Sequence, residues 1–180
     1  MEITKQANKS LAIVVDFLNN GGVIICPTDT IYGFLALAEN KKAVEKIYKI
    51  KKRPKSKPLP IFVKDIKMAK SLAEISEKQE KTIKKYWPGK YTFVLRAGKR
   101  TIALRMPKYK YLNNLLKKIN KPLVQTSVNI SNKPALTKIS DIMDQFGKLN
   151  VLAIDAGYLK KSKPSKIIDL TKEKIKILRK

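Results

Sequence analysis

The stretch Gly21-Gly22-Val23-Ile24-Ile25-Cys26-Pro27-Thr28-Asp29-Thr30-Ile31-Tyr32-Gly33 decides how the chain is read. Paired glycines stop a helix, and the apolar run Val23 to Cys26 behind them has the length and β-branching of a buried strand. Pro27 breaks that strand, and Thr28 to Leu37, rich in Thr, Ile, Tyr and Phe, reads as a turn followed by a second extended segment. Upstream, Leu11, Val14, Val15 and Leu18 recur at helical spacing, with Asn8 and Ser10 as possible caps. Helix, buried strand, polar turn and strand thus follow one another within the first 37 residues.

The same alternation continues outward. Lys41 to Ile50 is a short helix with Ala43, Val44, Ile47 and Ile50 inward, ending before the proline-studded loop Arg53 to Pro60; Ile61 to Val63 resumes a strand. Asp65 can cap a helix carrying Met68, Ala69 and Leu72, and Ser76-Glu77-Lys78-Gln79 is a capping-box pattern opening a helix that stops at Trp87-Pro88-Gly89. Tyr91 to Leu95 and Thr101 to Met106 read as strands around Gly98, followed by a helix bearing Leu112, Leu115, Leu116 and Ile119 and a strand over Leu123 to Thr126. A helix over Ile139 to Phe146 stops at Gly147, and Val151 to Asp155, Lys166 to Leu170 and Lys174 to Leu178 close the chain as strands. The pattern predicts one α/β domain over residues 1–180, a twisted, mixed and partly parallel sheet flanked by helices, because its last strands succeed one another without helices.

Composition excludes several chemistries. The chain has no histidine and a single cysteine, Cys26, so disulfide frameworks, Cys/His zinc sites and serine–histidine triads are ruled out. Cys26 lies in the buried run and reads as a small core residue. No apolar run approaches the roughly 20 residues of a membrane span, and no signal peptide opens the chain, so a soluble cytoplasmic protein is expected. Forty Lys and Arg against 14 Asp and Glu give +26, which predicts attraction to nucleotides and RNA. At 43% hydrophobic residues, that charge has not been reached by giving up the core.

No G-x-x-x-x-G-K-[ST] or G-x-G-x-x-G occurs among the chain's 7 glycines, so phosphates would be held by cations and hydroxyls on loops at strand ends. Three segments offer these groups: Pro27 to Gly33, the basic loop Lys51-Lys52-Arg53-Pro54 with Lys57, and Thr126-Ser127-Val128-Asn129-Ile130-Ser131-Asn132-Lys133-Pro134. Each alone is an ordinary turn or a solvated basic face. Together with Trp87-Pro88-Gly89-Lys90-Tyr91-Thr92-Phe93 and Ala103-Leu104-Arg105-Met106-Pro107, in this order, they resemble the YrdC family of threonylcarbamoyl-AMP synthases. That family carries PT[ED]T-Y-G, K-x-R-P, W-PGP-TF, a V-R-P strand and SAN-SG, and the likeness runs from about Gly21 to Arg179. The chain looks like the single-domain type.

The resemblance implies a YrdC-like fold with a positive cleft that joins L-threonine, bicarbonate and ATP, with Mg2+ on the phosphates, into threonylcarbamoyl-AMP and pyrophosphate. A downstream tRNA threonylcarbamoyl transferase would use the product. Carried over residue by residue, Lys51 and Arg53 would be catalytic and, with Lys57, Thr101, Ser127, Asn129, Thr137 and Arg179, would bind ATP. Thr28, Arg105 and Ser165 would grip threonine. No protein ligand for the metal is identified, Asp29 being the nearest carboxylate. Val128, Asn132, Lys90, Phe62 and Lys166 depart from the family pattern. A catalytically inactive RNA-binding module, or an enzyme carbamoylating another acceptor, are the alternative readings.

Overall fold

The computed structural model describes residues 1–160, 162–172 and 175–179. Among the described residues, ten strands form one sheet: β1 (Glu2–Lys5), β2 (Ile24–Cys26), β3 (Gly33–Leu37), β4 (Ile61–Phe62), β5 (Tyr91–Ala97), β6 (Arg100–Arg105), β7 (Leu123–Ser127), β8 (Leu152–Asp155), β9 (Lys166–Asp169) and β10 (Lys176–Arg179). Their order is β1-β8-β2-β3-β7-β4-β6-β5-β9-β10. Pairs β1/β8, β2/β8, β4/β6 and β5/β9 are parallel and the others antiparallel, so the sheet is mixed as expected. The described residues also form six α-helices: α1 (Leu11–Asn19), α2 (Lys41–Lys51), α3 (Ile66–Leu72), α4 (Glu77–Lys84), α5 (Lys110–Ile119) and α6 (Ile139–Phe146).

Alternation along the strands sorts the core into layers. Ile24 and Cys26 of β2, Leu35 and Leu37 of β3, and Leu152 and Ile154 of β8 pack against α1 and α5. Their neighbours Ile25, Phe34, Ala36 and Ala153 point the other way, onto Ala43 and Ile47 of α2 and Ile142 and Phe146 of α6. This half of the sheet is therefore sandwiched between helices. In the other half, Phe93 and Leu95 of β5, Leu104 of β6 and Ile168 of β9 pack on α3, α4 and Trp87. Their alternates Val94, Ala103, Arg105 and Ile167 line a cleft.

Local signals explain most boundaries. Asp65 accepts the Met68 N–H, and Ser76 with Gln79 forms the capping box reciprocally. Trp87 is buried edge-on to Phe93, with its indole N–H donated to the Tyr91 carbonyl.

Some expectations are corrected. Glu2–Lys5, to which the sequence pattern assigns no element, is an edge strand, because pairing beside β8 supplies hydrogen bonds that its exposed side chains do not advertise. Neither Asn8 nor Ser10 caps α1 through its side chain; residues Asn8–Ser10 form a 3-10 turn, and the Ser10 hydroxyl is shared with the Ala7 carbonyl and Tyr111 hydroxyl. Val44 and Ile50 are only half-buried. The last strand spans Lys176–Arg179, and the expected start at Lys174 lies outside the described residues.

Candidate functional site

The turn after β2 is built around one hydroxyl. Thr28 Oγ1 accepts the N–H groups of Thr30 and Ile31 at 3.1 and 3.3 Å and donates to the Ile31 carbonyl at 2.7 Å. This folds the chain back into β3, where Gly33 faces Ser127 of β7. A Cβ at Gly33 would stand 3.3 Å from the Thr126 carbonyl oxygen, so the close strand approach favours glycine. Tyr32, fully buried, donates its hydroxyl to the Gly157 carbonyl and accepts the Ala156 N–H. Burial pushes this phenol up to about 12, so it stays protonated as a tie between the turn and the segment after β8.

The loop after β7 is organised from beneath by Lys51, the last residue of α2. Its ammonium donates to the carbonyls of Ser127 and Asn129 and to Asn129 Oδ1 at 2.6, 2.9 and 2.7 Å, using all three of its N–H groups. Burial and the nearby Arg53 bring the lysine down to about 8. Ser127 Oγ donates to the same Asn129 oxygen, and Asn129 Nδ2 to the Lys133 carbonyl. Asn132 adopts φ 67°, a left-handed conformation that asparagine tolerates better than most residues.

The remaining side chains come from the half-covered part of the sheet. Arg105 ends β6, with Nε donated to the Gly89 carbonyl at 3.0 Å, Nη2 to Asp29 Oδ1 at 2.5 Å, and its guanidinium 5.6 Å above the Phe62 ring. Burial lowers its pKa, which the Asp29 charge opposes. Arg179 on β10 donates Nε and Nη2 to the Ser165 carbonyl and Nη2 also to Ser165 Oγ, which pairs with Thr92. Arg53 holds its own loop through the carbonyls of Lys57 and Pro58.

These segments enclose a cleft of about 720 Å³. Of the expected site residues, Thr28, Arg53, Arg105, Ser127, Asn129, Thr137, Ser165 and Arg179 line it. Three do not. Lys51 lies beneath the wall with its donors engaged, Lys57 is exposed and contributes its backbone carbonyl, and Thr101 is exposed on the cleft side of β6, beyond Ala103. Lys133 lines the cleft although only its loop, not its own charge, attracted notice; its place beside the hydroxyl and amide groups was the available signal. Asp29, the carboxylate nearest to a metal role by sequence, is engaged by Arg105 and by the Lys108 N–H.

The lining thus carries four cations, Arg53, Arg105, Lys133 and Arg179, and no carboxylate among the described residues. Such a surface binds polyphosphate and carboxylate groups and stabilises charge that builds during transfer between them. It offers no thiol nucleophile: Cys26 is fully buried, and burial raises its thiol far above the ordinary range. Of the five segments of the family pattern, residues 27–33, 51–54, 103–107 and 127–132 contribute to this lining, and residues 87–93 touch it through the Gly89 carbonyl that accepts from Arg105; residues 16–180 match the Sua5, YciO and YrdC family, described as Telomere recombination.

The chain belongs to the Sua5/YciO/YrdC family. A Methanocaldococcus jannaschii member is 37% identical over 174 residues, covering 90% of this chain and 83% of its own length. The threonylcarbamoyl-AMP synthases of Pyrococcus abyssi and Bacillus subtilis are 34% and 33% identical over 89% and 82% of this chain. This chain spans about half of their lengths, 51% and 46%. Among solved members of the family, P. abyssi Sua5 complexed with L-threonine superposes with TM-score 0.89 at 31% identity, covering 99% of this chain and 56% of that one. Escherichia coli YciO superposes with TM-score 0.88 at 26% identity over 99% and 93% of the two chains.

Proposed function

We propose that this chain is a threonylcarbamoyl-AMP synthase, with the whole site carried by the one domain described above. The observation that carries the reading is the cleft with four cations and, among the described residues, no lining carboxylate, on the open face of the sheet. The names of the Pyrococcus and Bacillus relatives and the threonine complex of Sua5 support threonine and ATP as the substrates of that cleft.

In this reading the threonine amine takes up bicarbonate, losing water, to form a carbamate. The carbamate oxygen attacks the α-phosphorus of ATP; the new P–O bond forms as the bond to the β-phosphate oxygen breaks, and pyrophosphate leaves. The attacking group is already anionic, so positioning and charge stabilisation suffice without a strong protein base. Arg53, Lys133 and Arg179 would face the triphosphate, Ser127, Asn129 and Thr137 its polar contacts, and Arg105, with Thr28 and Ser165, the threonine carboxylate. Lys51 holds the Ser127–Asn129 loop in place. Magnesium enters as a companion of ATP. Among the described residues no three His, Cys, Asp or Glu side chains converge on one point, which suits an ion carried by phosphate oxygens and water.

Purified protein should release pyrophosphate only when threonine, bicarbonate, magnesium and ATP are all present. Release without bicarbonate would indicate aminoacyl adenylation and overturn the reading. The product's acceptor would be a tRNA adenosine through a separate transferase, and the +26 charge favours contact with RNA along the way.

A further inference from the structure

We infer that Asp29 is a positioning residue that aims the Arg105 guanidinium at the amino-acid substrate and cancels its charge, so that this end of the cleft accepts a zwitterion rather than a phosphate. The inference rests on the proposed reaction and adds the means by which one cationic cleft keeps two anionic substrates apart.

Arg105 and Asp29 form an ion pair whose side chains are 3% and 7% exposed. Both carboxylate oxygens are held: Oδ1 by Arg105 Nη2 at 2.5 Å, Oδ2 by the Lys108 N–H at 3.1 Å. The guanidinium is constrained on three sides, by Asp29, by the Gly89 carbonyl and by the Phe62 ring beneath it. A guanidinium has five N–H groups, and these two bonds leave three without a protein partner among the described residues. Arg105 lines the cleft, so a fork for one carboxylate is left over and pre-oriented.

Electrostatics adds selectivity. Without Asp29, Arg105 would be a fourth uncompensated cation beside Arg53, Lys133 and Arg179, and the threonine end would compete for the phosphates of ATP. With Asp29 paired to it, Arg105 itself offers hydrogen-bond donors while adding little net charge to that end. Such an environment suits an amino acid, whose ammonium and carboxylate sum to zero, and repays a phosphate poorly.

The test is Asp29→Asn, which keeps the shape and one acceptor oxygen but removes the charge. The threonine KM should rise about 10-fold or more while the ATP KM stays within about twofold, and inorganic phosphate should become a competitive inhibitor against threonine. Asp29→Glu, which keeps the charge, should restore the threonine KM to within about threefold of wild type. Should Asp29→Asn fail to fold, formate added to Asp29→Ala should restore threonine binding, measured by calorimetry, by occupying the vacated carboxylate position. An unchanged threonine KM in active Asp29→Asn overturns the inference alone. So does an equal rise for both substrates with no rescue by glutamate or formate, the mark of a packing role. Wild-type protein that neither binds threonine nor releases pyrophosphate overturns both this inference and the reaction beneath it.

Discussion

The two halves of the sheet obey the same alternation and reach opposite ends. Across β2, β3 and β8 both faces meet helices, and every residue of Ile24–Cys26 and Gly33–Leu37 is buried. Across β5, β6 and β9 one face meets α3 and α4, while the other becomes the cleft. A strand closed on both sides has side chains only for packing. Leaving one face open frees every second residue for ligands while the covered face keeps the strand in place. The chemistry sits where a helical layer is missing, beside a half whose rigidity can support it.

The largest effect expected from this contrast is on stability. Phe34 is fully buried and edge-on to Phe146, centroids 5.3 Å apart, so Phe34→Ala should cost about 3–5 kcal/mol in urea unfolding. Val94→Ala, on the half-buried cleft floor, should cost about 1 kcal/mol or less while still weakening substrate binding. Equal losses would erase the distinction between the halves.

A smaller effect separates cleft charge from surface charge. Arg53→Ala should lower kcat/KM for pyrophosphate release about 100-fold, or ~2.7 kcal/mol, as when a contact to transition-state charge is removed. Changing the exposed Lys41, Lys42 and Lys49 of α2 together to glutamine removes more charge and should leave kcat/KM within about twofold, because they lie outside the cleft lining. Activity that tracks total charge removed would show that the cleft is no different from the rest of the basic surface.

The smallest and most diagnostic effect is a pH dependence. Lys51, held near 8, loses an N–H as it deprotonates, so the Ser127–Asn129 loop should loosen and pyrophosphate release should decline above about pH 8. Stability should move the other way. The folded protein gives up this proton before the unfolded chain, whose lysine keeps its ordinary, higher value, so between those two values the unfolded state binds more protons. This group's contribution to folding stability therefore rises with pH across that window and is level below it. Parallel decline of activity and stability through pH 8 to 9 would assign the loss to unfolding rather than to the loop.

Sequence alone determined the alternation of helices and strands, because 3.6- and 2-residue periodicities, the Asp65 cap and the Ser76–Gln79 box are local signals. It determined the family too, since ordered motifs survive without knowledge of their contacts. It could not show β1, whose pairing depends on a strand some 150 residues away. Nor could it tell which motif residues face ligand. Lys51 and Arg53 are two positions apart in one basic run, yet one is buried under a loop and the other lines the cleft. Asp29 stands free of Arg105 in the chain, separated by 76 positions, and becomes its buried partner only when β6 is laid beside the turn after β2. Periodicity and capping are properties of neighbours along the chain. Which charges are paired, desolvated or left open is a property of neighbours in space, and only the tertiary structure decided that.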